Sequence, residues 1–268
     1  MTHTDLPIHK HLAQTLNDRL SLLRQTPESI LLLGADGHLR QLLQQRYPKT
    51  KLTEIDARAE WLAHSAQINP TNLLNKLTQK HQQIQQNWQD KLPENSYQML
   101  ISNLTLSFCH DLTDTFTNWA NALQTDGMLF FTHLGQDSLP EIRALLNTEN
   151  IAHSTPLLMD MHDLADSLPS QYFYDTIADT AQLVLTYNNS ETLIQDLNHL
   201  NAWQLLNIAD NDLTRVQSLI QAAHHSGSLT QITLETQFLH AIKKIQLPEN
   251  EQVVQFYRNK EINRMKPL

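Results

Sequence analysis

The chain has 268 residues, of which 40% are hydrophobic, enough to bury a full core as one domain or as one domain with a small appendage. Its net charge of −9 excludes a broad basic face of the kind that tracks phosphate backbones, and no apolar run is long enough to span a bilayer, so neither nucleic acid nor membrane is an expected partner. The single cysteine, Cys109, excludes an internal disulfide framework, and the opening "MTHTDLPIHKHLAQTL" lacks a secretory h-region, so a cytoplasmic protein is expected.

The first element is an amphipathic helix between His9 and Arg24, with Leu12, Leu16, Leu20 and Leu23 on one face. Residues 1–27 are therefore expected to be an N-terminal helix preceding a domain of residues 28–268. Ser29 to Leu33 is a short apolar run stopped by a glycine, the pattern of a buried parallel strand. "HLRQLLQQR" reads as a helix, Pro48 ends it, and "KLTEI" is a second strand, which completes a βαβ unit. In "PTNLLNKLTQKHQQIQQNWQDKLP" the residues Leu73, Leu77, His81, Ile84 and Trp88 recur at helical spacing, so a helix is expected, with a strand near its end left open. "YQMLISN" is a clear strand, followed by a helix through Phe116, Trp119 and Leu123, the strand in "DGMLFFTHLG", and a helix in "SLPEIRALL".

Alternation up to about Asn150 marks an α/β protein with an open, mostly parallel sheet. Beyond it, "MDMHDLADSL" reads as a short helix and "AQLVLTY" as a strand. "ETLIQDLNHL" and "DLTRVQSLIQAAHH" follow as a helical insertion late in the sheet, and "LTQITLETQFLHAI" alternates as a final strand. Positive charge gathers at the end, in "AIKKIQL" and "YRNKEINRMK".

Read in order, "YQMLISNLTLSFCHDL", "DGMLFFTHLGQDSLPEIRALL", "MDMHDLADSL" and "LVLTYNNSETLIQDLNHLNAW" resemble the class I S-adenosylmethionine-dependent methyltransferases. Within them the segments are most similar to the malonyl-[acyl-carrier protein] O-methyltransferases of biotin synthesis. The resemblance runs from Leu12 to Lys243, and "SNLTLSF", "THLGQDSLPEIR" and "MDMHDLAD" are its most specific parts. It implies a Rossmann-like, seven-stranded sheet with helices on both faces and the ligand at the carboxyl ends of the strands. A cofactor half of about 28–135, an acceptor-side half of about 136–245 and a basic tail of 246–268 follow from the same comparison.

The resemblance implies S-adenosylmethionine as cofactor, with departures from the usual motifs. In the glycine turn, Gly34 and Gly37 match the first and last glycines, the middle one is missing, and Leu32 stands at the acidic position; Asp36, inside the turn, is the nearest carboxylate. Loss of a charge-assisted hydrogen bond at position 32 costs about 1.5–3 kcal/mol. Asp56, at the end of "KLTEID", stands where the family has the carboxylate that accepts both ribose hydroxyls; the alternative is that it caps the helix in "ARAEWLAHSA". Asn87 and Trp88 fall where the family meets the adenine, Asn87 as a hydrogen-bond acceptor and Trp88 as a stacking face, although Trp88 fits a core position equally well. The family's N-terminal tyrosine over the active site has no counterpart, since no tyrosine precedes Tyr47.

On the acceptor side, a carboxylate is already ionised at neutral pH and needs positioning more than a base. Arg143, in "LPEIRALL", is the candidate to grip it, because a guanidinium binds carboxylates bidentately; the alternative is a solvated helix arginine. Ser102 and Asn103, at the end of "YQMLISN", would face the transferred methyl or cap the following turn. Asp160, His162 and Asp163 in "MDMHDLAD" are expected to border the acceptor pocket, and no metal site is expected there, because aspartates at a helix start are ordinarily caps and His162 has no histidine at i+4. An acidic acyl-carrier protein would need a basic landing patch, for which Lys243, Lys244 and the tail arginines are the candidates. Two readings remain open: a malonyl thioester methyltransferase, or a non-catalytic relative that has lost the cofactor and serves as a partner or regulatory subunit.

Overall fold

The computed structural model describes residues 6–70, 80–168 and 172–244. Among the described residues seven strands form one sheet in the order β3-β2-β1-β4-β5-β7-β6. They are β1 (Ser29–Leu33), β2 (Lys51–Asp56), β3 (His81–Gln85), β4 (Tyr97–Asn103), β5 (Leu123–Leu134), β6 (Phe173–Thr186) and β7 (Gln231–Lys243). The first five are parallel, and β7 runs antiparallel between β5 and β6. The helices are α1 (Pro7–Leu20), α2 (His38–Arg46), α3 (Ala59–Ile68), α4 (Leu112–Ala122), α5 (Pro140–Thr148), α6 (Met161–Ser167), α7 (Ser190–His199), α8 (Ala202–Leu205) and α9 (Leu213–His225). The last three form the insertion expected between the final two strands.

The apolar run of β1 explains the layering. Ile30 and Leu32 point to one face and pack with α1, α2, α5 and the α7–α9 insertion; Leu31 and Leu33 point to the other and pack with Phe116, Trp119 and Leu164 of α4 and α6. Burial on both faces is what a continuous apolar strand requires. The chain turns back on itself at β1, since β2 pairs with one of its edges and β4 with the other. The carboxyl ends of β1, β2 and β4 therefore meet at the switch point, the place where α/β sheets bind ligands.

Two expectations need correction. His81 to Gln85 is a strand, the alternative left open near the end of that segment, in register with β2 from Leu52↔His81 to Asp56↔Gln85, so the helical spacing does not run on through Ile84. Its leucines, Leu73 and Leu77, lie outside the described residues. The strand is polar because it is an edge: its side chains are mostly exposed, and Gln83 donates to Glu54 Oε2 at 2.6 Å and to the Leu62 carbonyl at 3.0 Å. Lys243 is not part of a basic surface patch. It ends β7 and is 3% exposed, and its ammonium donates to the Leu123 carbonyl and to Asn95 Oδ1. The tail of 246–268 lies outside the described residues.

Candidate functional site

The turn Gly34–Gly37 links β1 to α2 at the switch point. Gly34 and Gly37 have φ of +97° and +78°, the region only glycine enters freely. A Cβ on Gly34 would lie 2.9 Å from the Thr105 methyl, and one on Gly37 would lie 2.8 Å from Ile68 Cδ1. The turn is thus wedged between the end of β4 and α3.

Asp36 is buried in this turn. Its Oδ1 accepts the Leu39 amide at 2.9 Å, capping α2, and its Oδ2 accepts Asn103 Nδ2 at 2.6 Å. Burial pushes its carboxyl up to about 6, and the nearby Asp56 charge adds to the rise against the hydrogen bonds that oppose it. Because the folded value lies above the ordinary 3.8, this group's contribution to stability is complete below about 3.8 and is lost as pH rises through about 6. Relative to an Asp36→Asn variant, the wild type should lose on the order of 3 kcal/mol over that interval. Urea unfolding of both proteins at the two ends of the range measures it, and a pH-independent difference would refute the assignment.

Asn103 ties three elements together, also donating to the His9 carbonyl at 3.0 Å and accepting from Thr132 Oγ1 at 2.8 Å. Leu104 follows with φ +61°, a strained setting for a leucine, and Thr132 Oγ1 accepts its amide. Ser102 is fully buried, with its hydroxyl bonded to that of Thr105. Ser102 and Asn103 thus spend their polar atoms inside the corner that holds the turn.

Asp56 ends β2 and is 0% exposed. Its Oδ1 accepts the backbone amide and Nε of Arg58, and its Oδ2 accepts the Ala35 amide and Arg58 Nη2, all four at 2.8 Å. Each oxygen therefore has one fixed backbone donor and one donor from the Arg58 side chain. The Arg58 guanidinium carbon lies 3.5 Å from the Trp61 ring centroid, 4.4 Å from that of Phe108 and 5.9 Å from that of Trp88. Leu6 packs with Ala35, Trp61 and Leu62, and the edge of His9 meets Trp61 at 5.2 Å, so the N-terminal segment covers the turn in place of a tyrosine. Burial, with Arg58 as the next cause, holds His9 well below the ordinary histidine range, hence neutral.

Beside Arg58 a cleft of about 620 Å³ opens, bounded by Trp61, Phe108, Glu191, Asn198 and His199 among others. Asn87 is exposed and its amide donates to Asp90 Oδ2, whereas Trp88 is half-buried, 6.2 Å from Phe108. Arg143 lies on α5 and is not among the residues lining this cleft; its Nε is buried without a hydrogen-bond partner, and it forms no ion pair with any described residue. Asp160 is the N-cap of α6, accepting the His162 amide at 2.7 Å. His162 and Asp163 are exposed, and His162 lines a separate depression between α6 and β6. The structure therefore brings together Gly34, Asp36, Gly37, Asp56, Ser102, Asn103 and Trp88, and leaves Arg143, Asn87 and the α6 residues apart from them.

Sequence reading missed Arg58 and Trp61. The available signal was the D-x-R spacing at the end of a strand with a tryptophan three residues on. Such an arginine reads as an ordinary first-turn residue until its carboxylate is seen to be buried.

The residues fit a nucleoside. Removing the Arg58 side chain would leave one vacant lone-pair direction on each Asp56 oxygen, which is what two adjacent hydroxyls require, and Trp88 and Phe108 offer flat faces beside it. The turn is closed as it stands, so such a ligand would have to move Arg58 and Leu6.

A methyltransferase domain model matches residues 31–131. The chain is 26% identical to the malonyl-[acyl-carrier protein] O-methyltransferase of a Methylovorus species, over 93% of this chain and 88% of that protein. To the protein of the same name from Gallionella capsiferriformans it is 35% identical, over 41% of this chain and 38% of that one. Among solved structures, it resembles a Haemonchus contortus phosphoethanolamine N-methyltransferase bound to S-adenosylhomocysteine, with a TM-score of 0.54 and 12% identity, over 88% of this chain and 53% of that one. The YcgJ protein of Bacillus subtilis gives a TM-score of 0.54 at 14% identity, over 88% and 100%.

Proposed function

We propose that the chain is a class I S-adenosylmethionine-dependent methyltransferase that methylates the free carboxylate of a malonyl thioester carried on acyl-carrier protein, in the synthesis of the biotin precursor. The observation that carries the reading is Asp56, a buried carboxylate at the switch point, bonded to the turn through Ala35 and held by the Arg58 side chain, which lines an open cleft. S-adenosylmethionine supplies an electrophilic methyl group on a sulfonium.

The chain's own residues bind, orient and exclude water. Asp56 would hold the ribose hydroxyls once Arg58 is displaced, Trp88 and Phe108 would offer apolar faces to the adenine, and the Gly34–Gly37 backbone would border the amino-acid portion. Asn103 and Thr132 hold the corner in place, and Leu6, which covers the turn as it stands, would move aside for the ligand. No base is needed, because the acceptor carboxylate is already an anion at neutral pH and the reaction gains from orientation and desolvation. The described residues include no helix long and apolar enough to cross a membrane, and the cytoplasm is the proposed compartment.

Complementation tests the acceptor. A strain that lacks its own malonyl methyltransferase should regain growth without biotin when it expresses this chain. Failure to rescue, with the folded protein present in the cells, would remove the malonyl assignment.

A further inference from the structure

Arg58 occupies the two lone-pair directions that a ribose needs and at the same time lines the cleft through which an acceptor would enter. Resting on the reading of Asp56 as the ribose acceptor, we propose that Arg58 is a displaceable self-ligand. When the cofactor binds, Arg58 leaves Asp56, turns into the cleft and grips the free carboxylate of the acceptor. Cofactor then binds first, and its binding creates the acceptor site.

Three observations carry this. Arg58 is held to Asp56 on both oxygens by its side chain, while the backbone donors from Ala35 and Arg58 itself would stay in place after it left. The guanidinium is not sealed in: its side chain is 19% exposed against 0% for Asp56, and it already lies over Trp61 and Phe108, whose faces favour a cation along the way into the cleft. Arg58 is also the one lysine or arginine among the described residues that line the cleft, where Glu60 and Glu191 would repel an anion. A bidentate guanidinium matches a carboxylate in either position, so Arg58 exchanges one such partner for another.

Calorimetry with S-adenosylhomocysteine on the wild type, Arg58→Ala and Arg58→Lys tests displacement without turnover. Arg58→Ala should bind about ten-fold tighter than the wild type, because no internal partner has to be removed. Malonyl-pantetheine should bind the wild type about ten-fold tighter with saturating S-adenosylhomocysteine than without it; Arg58→Ala should lose that gain and Arg58→Lys should recover part of it. The methyl ester of the same probe should show no dependence on Arg58. Melting curves identify a variant that fails to fold, and Arg58→Lys, which keeps a cation, then carries the comparison. Equal or weaker S-adenosylhomocysteine binding by both variants, or malonyl-pantetheine binding indifferent to it, overturns the exchange while leaving the cofactor assignment standing. Binding by no form of the protein overturns that assignment and the exchange with it.

Discussion

Asp56→Asn should weaken S-adenosylhomocysteine binding by a hundred-fold or more, as about 1.5–3 kcal/mol is lost for each of two charge-assisted hydrogen bonds. Asparagine has nearly the same shape, but its amide nitrogen cannot accept a hydroxyl proton, and the neutral group polarises the remaining donor less. The substitution also weakens the hold on Arg58, which on its own would help a ligand enter. The two effects oppose, and the loss of the ribose acceptor is the larger, because the ligand needs both oxygens whichever way Arg58 turns. Asp56→Asn and Arg58→Ala should therefore move affinity in opposite directions. If Asp56 served only to cap α3 and anchor Arg58, the two variants would affect binding alike. Calorimetry on the pair, with melting temperatures as a control for folding, separates these cases.

The second large effect concerns stability. Arg40 on α2 and Glu54 on β2 are 2% and 0% exposed and form an ion pair at 3.3 Å, with Ser65 Oγ and Gln83 Nε2 donating to the same carboxylate at 2.7 and 2.6 Å. Burial pushes the Glu54 carboxyl up to about 7 in spite of Arg40 and these donors, so desolvation outweighs the pairing. Arg40→Met removes the cation and leaves Glu54 facing an apolar neighbour, at a cost of about 3–5 kcal/mol, or about 10 °C in melting temperature. The loss should be greater at pH 8 than at pH 5.5. A carboxyl whose folded pKa lies above its unfolded one stabilises the fold while protonated and ceases to do so as pH rises through the folded value. Adding Glu54→Gln should recover most of the loss by removing the charge. A single variant that melts like the wild type would show that the pair contributes nothing to the packing of α2, α3 and β3 beneath the turn.

The parts of this fold that could be read in the sequence were those whose burial is uniform. β1, β4 and β5 have apolar runs because both faces of the sheet are covered, and the helices between them have one apolar stripe each. β3 could be left open but not assigned, since a polar edge strand keeps no apolar alternation and Gln83 is explained only by its partners on β2 and α3. Lys243 misled for a related reason: a lysine near the end of a chain looks solvated until the strand carrying it is placed beside the Leu123 carbonyl. At the site, the glycines and Asp56 stood out by resemblance and lie where the turn and strand end meet. Arg58 did not, because its role depends on how Asp56 is buried and on three aromatic rings drawn from α3, the loop after β3 and the turn after β4. The sequence separates those rings by 47 residues, from Trp61 to Phe108, and only the fold collects them.

The most direct measurement is a crystal structure of the wild-type chain grown with S-adenosylhomocysteine. It should show both ribose hydroxyls on the Asp56 carboxylate, the Ala35 amide still bonded to it, and the Arg58 guanidinium turned out into the cleft beside Phe108. A guanidinium that stays on Asp56 at millimolar ligand, with the turn closed and no nucleoside beside it, would contradict this and leave the chain a methyltransferase fold without its cofactor.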